Sequence, residues 1–145
     1  GPGPSGYKIQ ICEITLPLNQ SCDYTLFVID ASFWELITSE VFADLDSKNP
    51  FPPCDNQALV IDVSKPSCYK LSISMDNTMF VFAPCPDPEN LGGKCINIYS
   101  ACKKDGVVKK THIDGPHLTG SLSCEQQIFY PDLNNGPWNC FSACY

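Results

Sequence analysis

Ten cysteines constrain this chain more than any other feature. Their number is even, and they are spread along all 145 residues at Cys12, Cys22, Cys54, Cys68, Cys85, Cys95, Cys102, Cys124, Cys140 and Cys144. A cytosolic protein has to keep every thiol reduced, whereas a secreted protein pairs its cysteines as disulfides. Structural zinc sites instead need close pairs such as C-x2-C, and the closest pair here has three intervening residues. We therefore expect up to five disulfides, with the connectivity left open.

Length and composition predict one folded domain. A chain of 145 residues falls within the usual size of a single domain and can bury roughly two thirds of its unfolded surface. The hydrophobic fraction is 43% and the charged fraction 17%, a balance that argues against disorder. The opening Gly1–Gly6, "GPGPSG", is typical of a protease-tag scar and a short linker. We place the disulfide-rich domain at residues 7–145.

Other features favour an extracellular location. The longest apolar runs, such as Met79–Ala83, fall far below the roughly 20 residues that a membrane-spanning helix needs. Asn19 begins an N-glycosylation sequon, Asn-Gln-Ser, and is a candidate glycosylation site. Together with the cysteines, these features predict a secreted protein with no membrane span, and we expect it to be a monomer.

Short β-rich runs bounded by turn residues dominate the chain. We predict strands at Tyr7–Leu16, Tyr24–Asp30, Ala58–Val63, Cys68–Met75, Thr78–Ala83, Lys94–Ala101, Val107–Ile113 and Glu125–Tyr130. The run Cys68–Met75 alternates apolar and polar residues, which indicates a sheet with one solvent-facing side. Asp76-Asn77 then predicts a turn that joins this strand to the next one as an antiparallel hairpin.

One amphipathic helix is predicted near Ser32–Leu45. Ser32 and Glu35 have the spacing of a capping box at its start, and Asn49-Pro50 predicts its end. A buried stripe is expected at every fourth residue, with two aromatic core residues beside it: Phe33, Ile37, Val41 and Leu45, flanked by Trp34 and Phe42. The fold class is therefore α+β, a mostly antiparallel sheet with one helix packed on it.

Two features of the loops bear on the disulfides. Cys85 and Cys95 flank a proline- and glycine-rich loop, and a bridge across that loop is one pairing that their positions allow. Cys140 and Cys144 are expected to fix the C-terminus, which would otherwise fray.

The segment "KKDGVVKKT" concentrates positive charge in an acidic chain. Asp105-Gly106 is a strong type I′ turn signal, so the surrounding lysines would form the two arms of a hairpin: Lys103, Lys104, Lys109 and Lys110. The four lysines minus Asp105 give +3, and because the net charge is −7 the remaining residues carry −10. One interpretation is a solvated edge hairpin whose lysines prevent aggregation. The other is a docking patch for an anionic or hydroxyl-rich partner.

The charge composition also excludes some partners. The chain contains no arginine, the side chain best suited to bidentate phosphate recognition. Its net charge of −7 and its sequence pI near 4.5 argue against nucleic-acid binding.

Chemical motifs are sparse. His112, Asp114 and His117 have side chains that bind metals, but histidines in such a loop are usually solvated, and we assign no metal site. The chain lacks G-x-S-x-G, H-E-x-x-H, P-loop and G-x-G-x-x-G motifs, and no spacing singles out two of its acids as a glycosidase pair. We therefore expect neither a cofactor nor an enzymatic activity.

Two resemblances guide the functional expectation. "CINIYSACKKDG…SCEQQIFYPDLNNGPWNC", residues 95–140, resembles the peritrophin-type chitin-binding module. That resemblance implies sugar-facing aromatic residues at Tyr99, Phe129 and Trp138. The whole chain, small and cysteine-rich with no catalytic motif, also resembles the secreted cysteine-rich effectors of fungal pathogens.

Our first functional hypothesis is a secreted, non-enzymatic interaction protein of the effector or virulence type. It would bind a host or partner protein through Lys103, Lys104, Lys109 and Lys110. The alternative is an extracellular module that binds a chitin-like carbohydrate, and a third is a small secreted hydrolase.

Overall fold

The computed structural model describes residues 7–17, 28–85, 93–120, 124 and 138–145. Among these residues it contains β1 (Tyr7–Gln10), β2 (Ile14–Pro17), α1 (Ala31–Lys48), β3 (Leu59–Pro66), β4 (Cys68–Ile73), β5 (Met79–Pro84), β6 (Lys94–Lys104), β7 (Val107–Thr119) and β8 (Phe141–Ser142). The predicted strand Glu125–Tyr130 and most of Tyr24–Asp30 lie outside the described residues, as do Asn19, Cys22 and Phe129.

The described strands form two four-stranded sheets. Sheet 1 has the order β1-β3-β6-β7, and sheet 2 has the order β2-β5-β4-β8. Every pairing is antiparallel except that of β1 with β3. The prediction of one helix with mostly antiparallel sheet is confirmed, and the chain has an α+β composition.

The predicted strand Tyr7–Leu16 is wrong as a single element, because β1 joins sheet 1 and β2 joins sheet 2. The chain bends between them at Ile11 and Cys12. The Ile11 N–H donates to the Ser64 carbonyl at 2.8 Å. The buried hydroxyl of Tyr69 donates to the carbonyls of Ile11 and Cys12 at 3.2 and 2.6 Å. The Ile11 N–H continues the pairing with β3, whereas the carbonyls of Ile11 and Cys12 accept hydrogen bonds from a side chain instead of a neighbouring strand.

Helix α1 begins two residues earlier than a Ser32 cap requires, so the predicted capping box is wrong. Asp30 is extended and is the N-cap, and its Oδ1 accepts a hydrogen bond from the Phe33 N–H at 3.1 Å. Glu35 is therefore free of a capping role. The helix ends at Lys48 as the Asn49-Pro50 pair predicts, and the Asn49 N–H donates to the Leu45 carbonyl at 2.9 Å.

The buried face of α1 is broader than the predicted stripe. Its buried residues are Phe33, Trp34, Ile37, Thr38 and Phe42, while Val41 and Leu45 are half-buried. The prediction that Trp34 and Phe42 belong to the core is confirmed. Their rings pack on those of Tyr69 and Tyr99, with centroids 5.1 and 5.7 Å apart. Since Tyr69 lies in sheet 2 and Tyr99 in sheet 1, the helix covers both sheets.

The predicted hairpin of β4 and β5 is confirmed, with Asn77 at a φ of 60° in its turn. The alternation within β4 holds for Tyr69 and Leu71, which are fully buried. It is wrong for Ile73 and Met75, which are 36% and 103% exposed. The reason is that the strand ends at Ile73, so Met75 belongs to the turn.

Four disulfides join distant parts of the chain: Cys54–Cys102, Cys68–Cys124, Cys85–Cys140 and Cys95–Cys144. The suggested bridge between Cys85 and Cys95 is wrong, because their partners are Cys140 and Cys144. These two bridges fix the C-terminal segment as expected. Cys12 is exposed and forms no disulfide with another cysteine that the structure describes.

Candidate interaction surface

The β6–β7 hairpin has the geometry that its sequence predicts. Asp105 and Gly106 occupy its turn with φ values of 54° and 76°, the positive values that a type I′ turn requires. The residues on either side pair in register, Lys104 with Val107 and Lys103 with Val108. Because side chains alternate across a strand, this register places the lysines on two different faces.

We call the face of sheet 1 that packs toward α1 the inner face, and the opposite face the outer face. Lys103 lies on the inner face. Its Nζ is 2.9 Å from Oδ2 of Asp46, near the C-terminal end of α1. The Phe51 N–H donates to the same carboxylate at 2.9 Å. The Phe51 hydrogen bond, followed by that from Lys103, lowers the pKa of Asp46. Lys103 therefore ties the hairpin to the helix.

Lys110 is the second inner lysine, and its side chain is 12% exposed. Its Nζ donates to Oε2 of Glu35 at 2.6 Å and to the Glu35 carbonyl at 3.1 Å. It also lies 4.9 Å from the centroid of the Tyr99 ring, a cation–π contact. Lys110 thus joins β7 to the first half of α1.

Tyr99 completes this cluster by donating its hydroxyl proton to Oε1 of Glu35. Burial favours the neutral form of Glu35, but the hydrogen bonds from Lys110 and Tyr99 and the charge of Lys110 outweigh it, and the net effect lowers the pKa of Glu35. Burial and the neighbouring carboxylate raise the pKa of Tyr99. Glu35 is consequently a carboxylate with two donors, holding helix and sheet together.

A third lysine on the inner face was not predicted. Lys65 on β3 is 5% exposed, and its Nζ lies 4.7 Å from the centroid of the Trp34 ring. Burial lowers its pKa to about 8, although the charge of Glu35 opposes that shift. The alternation of β3 is the sequence feature that could have identified this lysine, because Lys65 lies on the same face of the strand as the buried residues Ile61 and Val63.

Lys104 and Lys109, by contrast, are exposed on the outer face. Neither forms an ion pair with any residue that the structure describes. Val107, 54% exposed, and Thr111, also exposed, share that face. We call Lys104, Val107, Lys109 and Thr111 the outer patch. Of the four lysines predicted to bind a partner, these two are exposed, whereas Lys103 and Lys110 are half-buried.

The β6 arm of the hairpin is held close to its turn, on the side away from β7. The Lys103 N–H donates to the Pro52 carbonyl at 2.8 Å, and the Lys103 carbonyl accepts from the Cys54 N–H at 3.0 Å. The Cys54–Cys102 disulfide reinforces this contact. The outer patch is therefore presented on a braced scaffold, which reduces the ordering cost of binding.

The two histidines have separate partners. His112 Nε2 is 2.9 Å from Oδ1 of Asn97, and its ring packs against Tyr99. His117 Nε2 is 2.9 Å from Oδ2 of Asp114, and this hydrogen bond, with one from the Gly115 N–H, lowers the pKa of Asp114. Within the described ranges, no three His, Cys, Asp or Glu side chains gather into a metal-binding group.

The predicted sugar-facing aromatic residues are placed differently. Tyr99 is 2% exposed and Trp138 is 9% exposed, and both belong to the hydrophobic core. Phe129 lies outside the described residues. Stacking on a sugar needs an accessible ring face, and neither Tyr99 nor Trp138 offers one.

Comparison with family models, curated proteins and solved structures finds no match to this chain. Among the residues that the structure describes, no helix combines the length and apolar character needed to cross a membrane. The geometry and charge of the hairpin are then the basis for a functional proposal.

Proposed function

We propose that this protein is a secreted, non-enzymatic interaction protein of the effector type, which binds an acidic surface of a host or partner protein through its outer patch. The observation that carries the proposal is the exposure of Lys104 and Lys109, without ion-pair partners among the described residues, on a braced hairpin. Lys103 and Lys110 support the patch from beneath rather than contact the partner.

The charge distribution supports an acidic partner. Outside the hairpin the chain carries −10, so a positive outer patch is electrostatically distinct from the rest of the molecule. A localised charge of this kind orients an approaching partner and speeds its association. Lysine alone, without arginine, suits a diffuse acidic protein surface better than bidentate phosphate recognition.

The disulfides support the extracellular part of the proposal, because bridges of this number are typical of secreted proteins. The four bridges use eight of the ten cysteines, leaving Cys12 and Cys22. We propose a fifth bridge between them in the mature protein. Peptide mapping under non-reducing conditions tests it: a linked Cys12–Cys22 peptide is expected, and two alkylated cysteines would contradict it.

The partner-binding proposal is tested with two double variants of equal charge change. Lys104→Glu with Lys109→Glu alters the outer patch, whereas Lys70→Glu with Lys94→Glu alters exposed lysines elsewhere. Each immobilised protein is incubated with host extracellular fluid, and captured proteins are quantified by mass spectrometry. Lys103 and Lys110 are left intact because their loss would also disrupt contacts with α1.

We expect one or more acidic proteins to be captured by the wild type and the Lys70/Lys94 control but lost from the Lys104/Lys109 variant. Their capture should weaken as salt rises, because screening shortens the reach of exposed charges. Equal losses in both variants would indicate nonspecific charge attraction. Capture that survives the Lys104/Lys109 change would exclude the outer patch as the contact.

A further inference from the structure

Among the described strands, β7 has one edge that is free of pairing. It is 13 residues long and is the outermost strand of sheet 1, and no described strand pairs with its second edge. An edge strand presents unpaired N–H and C=O groups, which form a template for another strand. The length of β7 makes this edge the longest such template in the described sheets.

The contacts of Lys103 reveal which backbone groups of β7 point outward. The N–H and C=O of Lys103 bond to Pro52 and Cys54, on the side away from β7. Lys103 and its register partner Val108 are therefore a non-hydrogen-bonded pair. Such pairs alternate with hydrogen-bonded ones in an antiparallel ladder. It follows that Val108, Lys110 and His112 direct their N–H and C=O groups toward the free edge.

We propose that the free edge of β7, from Val107 to His112, binds an extended acidic segment of a partner protein, which adds to sheet 1 as a further strand. This inference rests on the proposed function and specifies the form of the partner. Main-chain hydrogen bonds to Val108, Lys110 and His112 would supply affinity, as in other cases of strand addition. The side chains of the outer patch would supply selectivity.

The charge of the outer patch selects the occupant. Opposite charges at neighbouring positions of adjacent strands attract, and like charges repel. An acidic residue beside Lys109 on β7 is therefore favoured. A second copy of β7 would bring its own lysines to the same place and be repelled. Val107 and Thr111 on the same face favour β-branched residues in the incoming strand.

The regular part of the edge ends near His112. A register irregularity lies between the pairs Tyr99–His112 and Ile98–Asp114. Just beyond it, Gly115 has a φ of 102°, and a Cβ there would lie 2.6 Å from the Ile96 carbonyl oxygen. The backbone of β7 therefore departs from regular strand geometry where it passes close to β6. The incoming segment is expected to pair with residues 107–112 only.

Val108 provides a direct test. Val108→Pro removes one outward N–H without removing a hydrogen bond to β6, and proline is tolerated on the open side of an edge strand. Val108→Ala is the matched control, because it also removes packing of the half-buried Val108 but keeps the N–H. The probe is a labelled, end-capped decapeptide of alternating glutamate and valine, with a lysine–valine decapeptide as its reverse-charge counterpart. Binding is measured by fluorescence anisotropy.

We expect the acidic peptide to bind and the basic one not to bind. Val108→Pro should weaken binding about tenfold relative to Val108→Ala, as expected for one lost backbone hydrogen bond. Equal binding by the two variants would overturn the inference, as would failure of the acidic peptide to bind the wild type.

Amide hydrogen exchange on the wild type keeps the test decisive even if Val108→Pro fails to fold. The bound peptide should slow exchange at Val108, Lys110 and His112 and leave Lys109 and Thr111, already bonded to β6, little changed. Protection elsewhere would overturn the inference.

Failure of the inference differs from failure of the proposed function. If the Lys104/Lys109 variant loses partner capture while Val108→Pro retains it, the outer patch binds through side chains alone. If neither change affects capture, the proposed function itself falls.

Discussion

The inner and outer faces of sheet 1 use the same residue type for different purposes. On the inner face, Lys65, Lys103 and Lys110 lie against aromatic rings or carboxylates. On the outer face, Lys104 and Lys109 project into solvent. The sequence charge of the hairpin therefore overstates the charge that a partner would meet. Proximity in sequence says little about the role of a lysine in a strand, because successive side chains point to opposite faces.

The inner lysines are tolerated because each has compensation for its lost hydration. Lys103 and Lys110 have carboxylate partners, and Lys110 and Lys65 also lie over aromatic rings. Long lysine stems can pack along apolar surface while the ammonium group finds a polar or aromatic neighbour. The following variants test how far the two faces differ, beginning with the largest expected effect.

Reversing the charge of an inner lysine should be the most damaging change. Lys110→Glu removes the cation from Glu35 and places a second carboxylate beside it. We expect a loss of about 2–3 kcal/mol in the free energy of unfolding, less than for a fully buried pair because Glu35 is 47% exposed. Urea denaturation measures it. The outer-face control, Lys109→Glu, should change stability by less than about 0.5 kcal/mol. Equal losses would contradict the distinction between the faces.

Removing the charge of Lys65 should alter the pH dependence of stability. Its folded pKa of about 8 lies below its unfolded value of about 10.4. Between these values the unfolded chain holds a proton that the folded protein has released, so stability rises with pH. The rise should be on the order of 2 kcal/mol between about pH 8 and pH 10.

Lys65→Met should lack this rise and be more stable than the wild type at neutral pH. Urea denaturation of both proteins across this range tests the prediction. Parallel pH curves would show that Lys65 is not desolvated in the folded protein.

Removing the Tyr99 hydroxyl should have a smaller effect, because Glu35 keeps Lys110 as a donor. Tyr99→Phe is expected to cost about 1.5 kcal/mol, the lower end for a hydrogen bond to a charged acceptor. The pKa of Glu35 should rise toward its ordinary value, which NMR titration can measure.

The pKa of Glu35 is lower in the folded protein than in the unfolded chain, so the ionised carboxylate stabilises the fold at pH values above the unfolded pKa. The wild type loses this contribution as the pH falls through the folded pKa. The variant should lose less. Tyr7→Phe, at a tyrosine that is 51% exposed, is the matched control. An unchanged pKa of Glu35 would show that the Tyr99 hydroxyl does not stabilise the carboxylate.

The smallest effect on stability is expected on the outer face. Lys104→Glu with Lys109→Glu should leave the free energy of unfolding within about 0.5 kcal/mol of the wild type, because exposed lysines without ion-pair partners add little to folding. Thermal unfolding checks this. A clear loss of stability would mean that the outer lysines have a structural role and would confound the capture experiment.

Much of the fold was predictable because it depends on local patterns. The hairpin turn at Asp105-Gly106, the helix end at Asn49-Pro50 and the core placement of Trp34 and Phe42 follow from turn chemistry, the restriction before proline and helical periodicity. The error over Tyr7–Leu16, predicted as a single strand, arose because a distant residue intervenes. Tyr69 holds the bend between β1 and β2 through hydrogen bonds across more than fifty residues of chain.

The candidate site was predictable only in part. The hairpin and its four lysines were identifiable, but not the division between inner and outer lysines, which depends on Glu35 and Asp46 of α1. The free edge of β7 likewise requires the order of strands in sheet 1. Cysteine pairing was equally inaccessible, since each observed bridge joins residues 48 to 56 positions apart.

The amino-acid sequence by itself determined the element types, the hairpin turn and the concentration of lysines around it, because propensity and charge are properties of short segments. Only the tertiary structure decided which lysines are paired, which cysteines are bonded and which strand edge is open. Those outcomes depend on contacts between residues far apart in the chain. Such contacts form when the helix packs across both sheets and brings its carboxylates to the inner face of the hairpin.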